Sequence, residues 1–393
     1  MSAAEKRLHA LDAFRLDNTT ISAGCLKCPL LKQCGGYTRA GGGWSCMDRC
    51  ASCDSSCDLV CLKKPGDFVR ALLEIDGFDH GGIPALERPA DALPRYVPVL
   101  QHGFDHEVPL EWAAFPLRAL MRFKGRRYAP IGVSAAEVRV RLGVSDATKI
   151  LLVATGKDPP IESYWRWRRL HGAPDALAAL GLSGAVAPNY SMFLEEPRPQ
   201  HMFNRKRSLI CASEWSAAGI GVVPYLQAVA PADWLYWEAF LREHVEVTHV
   251  AKEFQTGLAN PERGREAIDN LARLQRLLKR RLHVVAIGAA RFRGLLDERF
   301  EGSWTLIDSE PFMKAVKRRV AARVDERRVR WLPALGQDAG DLLFHNVGRY
   351  QEWLARGRGA PTKGHARASV QAERPVAQST PLDWDALTER GGL

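Results

Sequence analysis

The fold is decided by LHVVAIGA at residues 282–289 and by WTLIDSEPF at residues 304–312. Each stretch is a short run of apolar and β-branched residues, and the residues between them have helical character. Continuous apolar runs are typical of strands that are buried on both faces of a parallel sheet. The two stretches therefore predict a strand, a helix and a second, parallel strand.

The segment before the first of these strands predicts a long amphipathic helix. Residues 261–281 read PERGREAIDNLARLQRLLKRR, with a proline and acids near the start and arginines at the end. This polarity matches the helix dipole, and proline is favoured in a first helical turn. Apolar side chains recur at helical spacing and form one stripe that can face a sheet: Ile268, Leu271, Leu274 and Leu278.

The alternation of strand and helix extends through most of the chain. Apolar runs separated mostly by helical stretches occupy eight segments: 96–102, 128–134, 149–156, 184–191, 220–227, 247–257, 282–289 and 304–312. Eight strands that alternate with helices predict an α/β fold, a (β/α)8 barrel of the TIM type. A doubly wound open sheet is the alternative.

Composition divides the chain into four predicted regions. They are a cysteine-rich N-terminal module (1–64), a connector (65–95), the barrel with its terminal helices (96–357) and a C-terminal tail (358–393). The tail is rich in Pro, Gly, Ser and charge, a composition typical of disorder. Near the end of the barrel region, a basic segment at 313–332 and a segment at 345–358 are both predicted to be helical.

Eight of the nine cysteines are clustered in the N-terminal module. Thiolates at this density bind a metal or form disulfides, and disulfides suit a secreted protein. The first residues contain no apolar run typical of a signal peptide, so we expect a cytoplasmic protein with a metal-binding module. Zinc is the favoured metal, and an iron–sulfur cluster is the alternative. The candidate ligands are Cys25, Cys28, Cys34, Cys46, Cys50, Cys53, Cys57 and Cys61. The ninth cysteine, Cys211, lies in an apolar helical stretch and is predicted to be a buried, inert thiol.

The net charge of +10, with a pI near 9.2, favours a polyanionic partner such as nucleic acid. Basic segments at residues 122–127 and 314–330 are the expected phosphate contacts. No segment has the roughly 18 uninterrupted apolar residues of a membrane span, so no membrane partner is expected.

Catalytic groups of a (β/α)8 barrel lie at the carboxyl ends of its strands. The predicted ends form a polar rim with no Gly-x-Ser-x-Gly elbow and no GxxxxGK[ST] loop: His102, Asp158, Asn189, Gln227, Gln255, Gly257, Gly288, Asp308 and Glu310. Two carboxylates on different strand ends can act as nucleophile at an anomeric carbon and as general acid or base. Asp308 and Asp158 are the candidate pair.

The order of these strand ends resembles the tRNA-guanine transglycosylase superfamily over residues 96–357. The resemblance is carried by Val97-Pro98-Val99, Gln101-His102-Gly103, Asp158, Asn189, Tyr225 with Gln227, Thr256-Gly257-Leu258-Ala259, Val284–Gly288, Leu306-Ile307-Asp308-Ser309 and His345-Asn346. It implies Asp308 as the nucleophile and Asp158 as the general acid/base at the base. It also implies a set of substrate-binding residues: Asn189, Tyr225, Gln227, Gly257, Gly288 and His102.

The cysteine module makes the chain most similar to the DNA-modifying branch of this superfamily. The family's Cys-x-Cys-x2-Cys zinc site is absent, Asn189 replaces an acid, and Asp158 lacks the glycines that follow it in the family. The resemblance implies exchange of guanine in DNA for a 7-deazaguanine, such as 7-cyano-7-deazaguanine, through a covalent aspartyl–glycosyl intermediate. Helper proteins that open the duplex are candidate partners. The alternatives are a tRNA substrate, a non-catalytic nucleic-acid-binding protein with a metal module, and an iron–sulfur redox enzyme.

Overall fold

A computed structural model describes residues 23–36, 45–48, 50, 53, 57–124, 127–156, 158–193, 196–325 and 328–356. The strands in these ranges are β1 (Tyr96–Pro98), β2 (Trp112–Pro116), β3 (Met121–Lys124), β4 (Arg127–Pro130), β5 (Lys149–Val153), β6 (Gly184–Val186), β7 (Val222–Val223), β8 (His249–Glu253), β9 (His283–Ile287), β10 (Ser303–Asp308), β11 (Arg319–Val324) and β12 (Val329–Pro333). The α-helices are α1 (Leu31–Cys34), α2 (Pro65–Ile75), α3 (Leu117–Leu120), α4 (Ala135–Leu142), α5 (Asp158–Trp167), α6 (Ala173–Ala178), α7 (Arg198–Ala217), α8 (Pro231–Glu243), α9 (Pro261–Leu278), α10 (Arg293–Arg299), α11 (Glu310–Val316) and α12 (Ala339–Arg356).

Eight of these strands run parallel to their neighbours in two four-stranded sheets. One sheet has the order β1-β10-β9-β8, and the other has the order β2-β5-β6-β7. Isolated parallel bridges join the outer strands of one sheet to those of the other, Val99 to Ala114 and Tyr225 to Ala251. The predicted mixed α/β class with parallel sheets is therefore confirmed.

Local sequence explains why these elements form. In β5, Ile150, Leu151 and Leu152 are all fully buried, which is the pattern of a parallel strand covered on both faces. Helix α9 begins where Asn260 Oδ1 accepts hydrogen bonds from the next backbone N–H groups, with a proline in the first turn. Its buried stripe includes three of the four predicted residues, Ile268, Leu271 and Leu274, and Leu278 is partly buried against the core.

The cysteine-rich segment packs on the same hydrophobic core as the parallel strands. Cys34 and Val60 belong to that core, as do Phe68 and Ile75 of α2. The backbone N–H of Val60 also donates a hydrogen bond of 2.8 Å to Oε1 of Gln200 in α7. Helix α7 is therefore the element against which the segment is fixed.

The second predicted barrel strand, at residues 128–134, was wrong. Residues 127–130 form β4, which pairs antiparallel with β3 in a hairpin. The parallel strand at this place in the order is β2, whose sequence WAAFP is short and rich in alanine. Alanine has low β-propensity, so this strand is specified by burial: Ala113, Ala114 and Phe115 are fully buried.

The helix predicted for the basic segment at 313–332 was also wrong beyond its first residues. Helix α11 ends at Val316, and β11 and β12 then form an antiparallel hairpin. Asn346, fully buried on α12, holds this hairpin in place. Its Oδ1 accepts a hydrogen bond of 2.8 Å from the Ala321 N–H, and its Nδ2 donates one of 2.9 Å to the Arg319 carbonyl. Arginine-rich composition suits a helix, but these contacts stabilise the extended backbone.

The final predicted helix is present as α12, which begins six residues earlier than expected, at Ala339. The predicted disordered tail at 358–393 lies outside the described residues. Among the helices of the described ranges, none combines the length and apolar character that crossing a membrane requires.

Candidate functional site

The carboxyl ends of β5, β6, β7 and β8 are joined by hydrogen bonds centred on Asn189, in the loop after β6. Its Oδ1 accepts a hydrogen bond of 3.1 Å from the Gly156 N–H, after β5. Its Nδ2 donates one of 2.9 Å to Oε2 of Glu253, the last residue of β8. The Tyr225 hydroxyl, after β7, donates to the same carboxylate oxygen at 3.4 Å. We call Gly156, Asn189, Tyr225 and Glu253 the Glu253 network.

Asp158 lies beside this network. It is the first residue of α5, and its Oδ1 accepts a hydrogen bond of 2.6 Å from Ser191 Oγ. Ser191 is two residues after Asn189, and its carbonyl accepts a hydrogen bond of 2.6 Å from Asn204 Nδ2 in α7. The structure therefore brings three of the predicted site residues into one region: Asp158, Asn189 and Tyr225.

The protonation of Glu253 is set by burial. Burial raises the pKa of its carboxyl above the ordinary value, while the charge of Lys252 and hydrogen bonds from Tyr225 and Asn189 act in the opposite direction. Successive side chains of a strand point to opposite faces. Lys252 accordingly donates a hydrogen bond of 2.9 Å to the Leu226 carbonyl, and burial lowers its pKa to about 8. Burial therefore favours the protonated form of Glu253 more than it would for an exposed glutamate.

Asp308, the predicted nucleophile, is the last residue of β10. Its Oδ1 accepts a hydrogen bond of 2.6 Å from the Glu310 N–H, and its carboxylate is also a hydrogen-bond partner of Tyr350 on α12. The Tyr96 hydroxyl donates to its backbone carbonyl at 3.1 Å. Burial raises the pKa of Asp308 to about 6, and the charge of Glu310 adds to that rise. Asp308 is therefore ionised above about pH 6 and held in a fixed position.

Two other predicted residues have neighbours that define their roles. Gln227 is buried, and its Nε2 donates to the Tyr190 carbonyl, next to Asn189. The Oε1 of Gln227 is buried with no hydrogen-bond partner among the described residues. Gly288 has a φ of +66°, and a Cβ there would lie 2.3 Å from Cγ of Gln255. The space beside Gly288 is therefore filled by the Gln255 side chain.

The remaining predicted residues border the strand ends. The exposed His102 ring contacts Phe312 of α11 edge-to-face, with the ring centroids 4.9 Å apart. Gly257 lies in the 3₁₀ turn Thr256–Ala259 that follows β8. His102 thus contacts the helix that follows Asp308, and Gly257 lies in the turn that follows Glu253.

Sequence reasoning missed Glu253 and Tyr350. The end of β8 was predicted at Gly257, four residues beyond the observed end at Glu253, so the strand-end carboxylate was interpreted as an interior residue. The alternating pattern of β8 is the sequence signal for Glu253, because the apolar Ala251 and the acidic Glu253 lie on the same face of the strand. Tyr350 reaches Asp308 from α12, a contact between distant parts of the chain that the sequence pattern does not encode.

Exposed basic side chains lie on the two hairpins. On β3–β4 they are Arg122, Lys124 and Arg127, and on β11–β12 they are Arg319, Arg323 and Arg330. The first hairpin follows the carboxyl end of β2 after one helical turn, and the second follows Asp308 and α11. Residues 125–126 and 326–327, at the two hairpin turns, lie outside the described residues.

The clustered cysteines are the candidate metal ligands. Four of them, Cys25, Cys28, Cys34 and Cys46, line one small cavity. Cys61 is close enough to Cys50 and Cys53 for their charges to act on it. The ninth cysteine, Cys211, is fully buried in α7, and burial raises its pKa to about 12, as expected for an inert thiol.

One further group in the described part of the chain has ligand spacing. It consists of His106, Asp338 and Asp341, all exposed. Asp338 Oδ1 accepts backbone hydrogen bonds from Gly340 and Asp341 at the start of α12. These bonds make Asp338 a helix cap, so the group has a structural explanation without a metal.

No protein-family model matches the chain, and no curated protein matches it. Among solved structures, the chain is similar to a protein from Anabaena variabilis named as a "putative sugar phosphate isomerase/epimerase". The sequence identity is 14%, and the match covers 54% of this chain and 77% of the other, with a TM-score of 0.27. A similarity at this TM-score does not indicate a function for the chain.

Proposed function

We propose that the protein is a guanine transglycosylase that exchanges guanine in DNA for a 7-deazaguanine, such as 7-cyano-7-deazaguanine. The observation that carries this proposal is a pair of partly buried carboxylates at the carboxyl ends of parallel strands, Asp308 on β10 and Glu253 on β8. Around them lie amide, hydroxyl and backbone groups that can hydrogen-bond the edge of a base.

The proposed scaffold is a closed (β/α)8 barrel. Eight parallel strands follow one another in chain order around the two sheets, β1-β2-β5-β6-β7-β8-β9-β10. The pairing of β1 with β10 and the two parallel bridges supply the contacts that closure requires. Active sites of such barrels lie at the carboxyl ends of the strands, where Asp308 and Glu253 both lie.

The proposed reaction has two displacements at C1′ of the target deoxyguanosine. Asp308 attacks C1′, the bond from C1′ to guanine breaks, and a covalent glycosyl–enzyme ester forms as the departing guanine takes up a proton. The 7-deazaguanine then loses a proton from its glycosidic nitrogen and attacks C1′, which releases the Asp308 carboxylate. The same group can give the first proton and accept the second.

The proton carrier is Asp158 or Glu253. Asp158 is the residue that the family resemblance implies, and Ser191 fixes its carboxylate. Glu253 is the group whose burial favours the protonated state. The neighbouring Asn189, Tyr225 and Gln227 are placed to bind the base edge.

Charge favours a nucleic-acid substrate, and the resemblance of the cysteine module to the DNA-modifying branch favours DNA over tRNA. Enzymes that act on a base in a duplex must extrude it, which costs a few kcal/mol. The exposed arginines of the two hairpins and the net charge of +10 favour binding to a phosphate backbone. A tRNA substrate uses the same chemistry and remains the second candidate.

Trapping of the covalent intermediate tests this function. Labelled guanine-containing DNA, incubated with the protein and quenched in denaturant, should yield a protein–DNA adduct. The adduct should disappear in Asp308→Asn and persist in Glu298→Gln, an equivalent change at an exposed acid of α10. DNA binding without an adduct in the unsubstituted chain would favour a non-catalytic binding protein.

A further inference from the structure

The cysteines of the N-terminal segment fall into two spatial sets. Cys25, Cys28, Cys34 and Cys46 line the same small cavity together with Arg198 of α7. None of the other clustered cysteines lines this cavity. Cys61 instead is in electrostatic range of Cys50 and Cys53, and Cys57 lies between them in sequence.

The first set is surrounded by hydrogen-bond donors and positive charge. The backbone N–H of Arg198, at the start of α7, is a hydrogen-bond donor to Cys46 Sγ. The Gly36 N–H donates to Cys34 Sγ at 3.2 Å, and Gly36 has a φ of 81°, a conformation that glycine adopts without strain. The N-terminus of a helix carries partial positive charge, so α7 favours negative charge on these sulfurs.

A buried ion network lies next to the same site, on the side of Arg198. Arg198 is 4% exposed, and its charge acts on both Cys34 and Cys46. It donates hydrogen bonds of 3.1 and 2.7 Å to the Asp233 carboxylate, which also accepts one of 2.6 Å from Arg205. Two buried guanidinium groups and one carboxylate leave a net positive charge. A buried charge needs a partner, and an anionic group in the cysteine cavity supplies one.

We propose that Cys25, Cys28, Cys34 and Cys46 hold one metal centre with four thiolate ligands, docked on the N-terminus of α7. Cys50, Cys53, Cys57 and Cys61 belong to a second, separate centre. Four thiolates around a zinc ion or a [4Fe–4S]²⁺ cluster carry a net charge of about −2, which matches the positive surroundings of the first set. This proposal is independent of the proposed base exchange.

A zinc ion and a [4Fe–4S] cluster both bind four thiolates. Metal and sulfide analysis separates the two.

The test is the metal content of the full-length protein, purified without oxygen. We expect two centres per chain, either about four iron and four sulfide each with visible absorbance, or one zinc each without colour. Cys34→Ser should lower the metal content to half, Cys61→Ser should remove the other half, and the double variant should hold none. Cys211→Ser, which changes a cysteine outside both sets, should keep the full content.

Because Cys34 is a core residue, Cys28→Ser serves as a second, less buried variant of the first set, and circular dichroism establishes that each variant is folded. Loss of all metal in a folded single-set variant would overturn the division into two centres. A wild-type chain without stoichiometric metal, or metal unaffected by both first-set variants, would overturn the first centre itself.

Discussion

Asp308 and Glu253 are both carboxyls whose pKa is raised by burial, but their surroundings differ. Asp308 is held by a backbone N–H and a tyrosine at the end of β10, and we propose it as the nucleophile. Glu253 is held by an amide and a tyrosine at the end of β8, and we propose that these partners bind the base. Because burial shifts both pKa values in the same direction, it is their hydrogen-bond partners that distinguish the two carboxyls.

The Asp308→Asn variant should be inactive and, at neutral pH, more stable than the unsubstituted chain. The folded pKa of Asp308 is about 6, against an ordinary value of 3.8. Between these values the folded state keeps a proton that the unfolded state releases, so the stability of the unsubstituted protein falls as pH rises through that window. The fall amounts to on the order of 2–3 kcal/mol. Asparagine does not titrate, so the variant does not show this fall.

Denaturant unfolding of both chains at pH 4 and pH 8 measures this difference. The increase in the free energy of unfolding caused by Asp308→Asn should be large at pH 8 and small at pH 4. An equal increase at both pH values would show that the charge of Asp308 is not the cause. In the active chain, exchange should decline as pH falls below about 6, because Asp308 becomes protonated.

Glu253→Gln tests the proton carrier. If Glu253 moves the proton, glutamine should lower kcat by roughly 10²–10⁴-fold with little effect on DNA binding, because the amide keeps the size of the side chain. Asp158→Asn is the paired variant, and Glu298→Gln is the exposed control. A full loss in Asp158→Asn with near-normal turnover in Glu253→Gln would assign the proton to Asp158.

At the scale of single residues, the sequence located the carboxylate and amide positions that follow clear apolar runs, such as Asp308 and Asn189. It did not locate Glu253, because the end of β8 depends on pairing with β9 and not on a local stop signal. Tyr350 was beyond reach for another reason. Its contact with Asp308 joins residues 42 positions apart through the packing of α12 against α11.

Among the elements, the β11–β12 hairpin carries the exposed arginines nearest in sequence to Asp308. Replacing Arg319, Arg323 and Arg330 together by Gln should weaken DNA binding roughly 10-fold or more at moderate salt. It should also reduce the slope of log K against log salt by about 0.9 for each phosphate that the variant no longer neutralises. Filter binding or fluorescence anisotropy across a salt series measures both quantities.

The matched control changes three other exposed cations, Arg276, Lys279 and Arg281, which lie where α9 leads into the amino end of β9. It removes the same charge from the molecule. If DNA binding were weakened equally in the two triple variants, net charge alone would determine the affinity and the hairpin would not be a binding surface.

The packing of α9 gives a prediction about stability. A Cβ at Gly264 would lie 2.1 Å from Cζ of the buried Phe292 ring, so Gly264→Ala should destabilise the protein by about 1–3 kcal/mol. Gly348 in α12 has open space around it, and Gly348→Ala should stabilise by about 0.5–1 kcal/mol. Chemical denaturation of both variants measures the contrast. A Gly264→Ala variant as stable as the unsubstituted protein would show that α9 does not pack closely on Phe292.

Helices and strands were predicted well where the apolar periodicity of the sequence is strong. They were predicted poorly where contacts with distant residues determine the local structure. Helix α9 follows from its apolar stripe and its cap. The basic hairpin does not, because arginine and valine are compatible with either helix or strand, and Asn346 on a later helix selects the strand. Strand β2 was missed because alanine has low β-propensity, and the strand forms because its residues are buried in the core.

For the whole molecule, the count of eight strands was informative even though one predicted strand was misplaced. The described residues contain eight strands that run parallel to their neighbours in two four-stranded sheets, and each of these strands except β1 is followed by a helix. The closed barrel that we propose brings the Asp308 and Glu253 ends to one face. The cysteine segment packs against the start of α7, and the metal binding that we propose for it can be tested separately from the proposed exchange.

The measurement that tests the central claim most directly is incorporation of labelled guanine or 7-cyano-7-deazaguanine, with DNA and tRNA as parallel substrates. The account predicts incorporation into DNA that is lost in Asp308→Asn and retained in Glu298→Gln. Incorporation into tRNA alone would move the substrate to the tRNA-modifying branch. Absence of incorporation into either nucleic acid, by a folded and metal-loaded protein, would contradict the proposed activity.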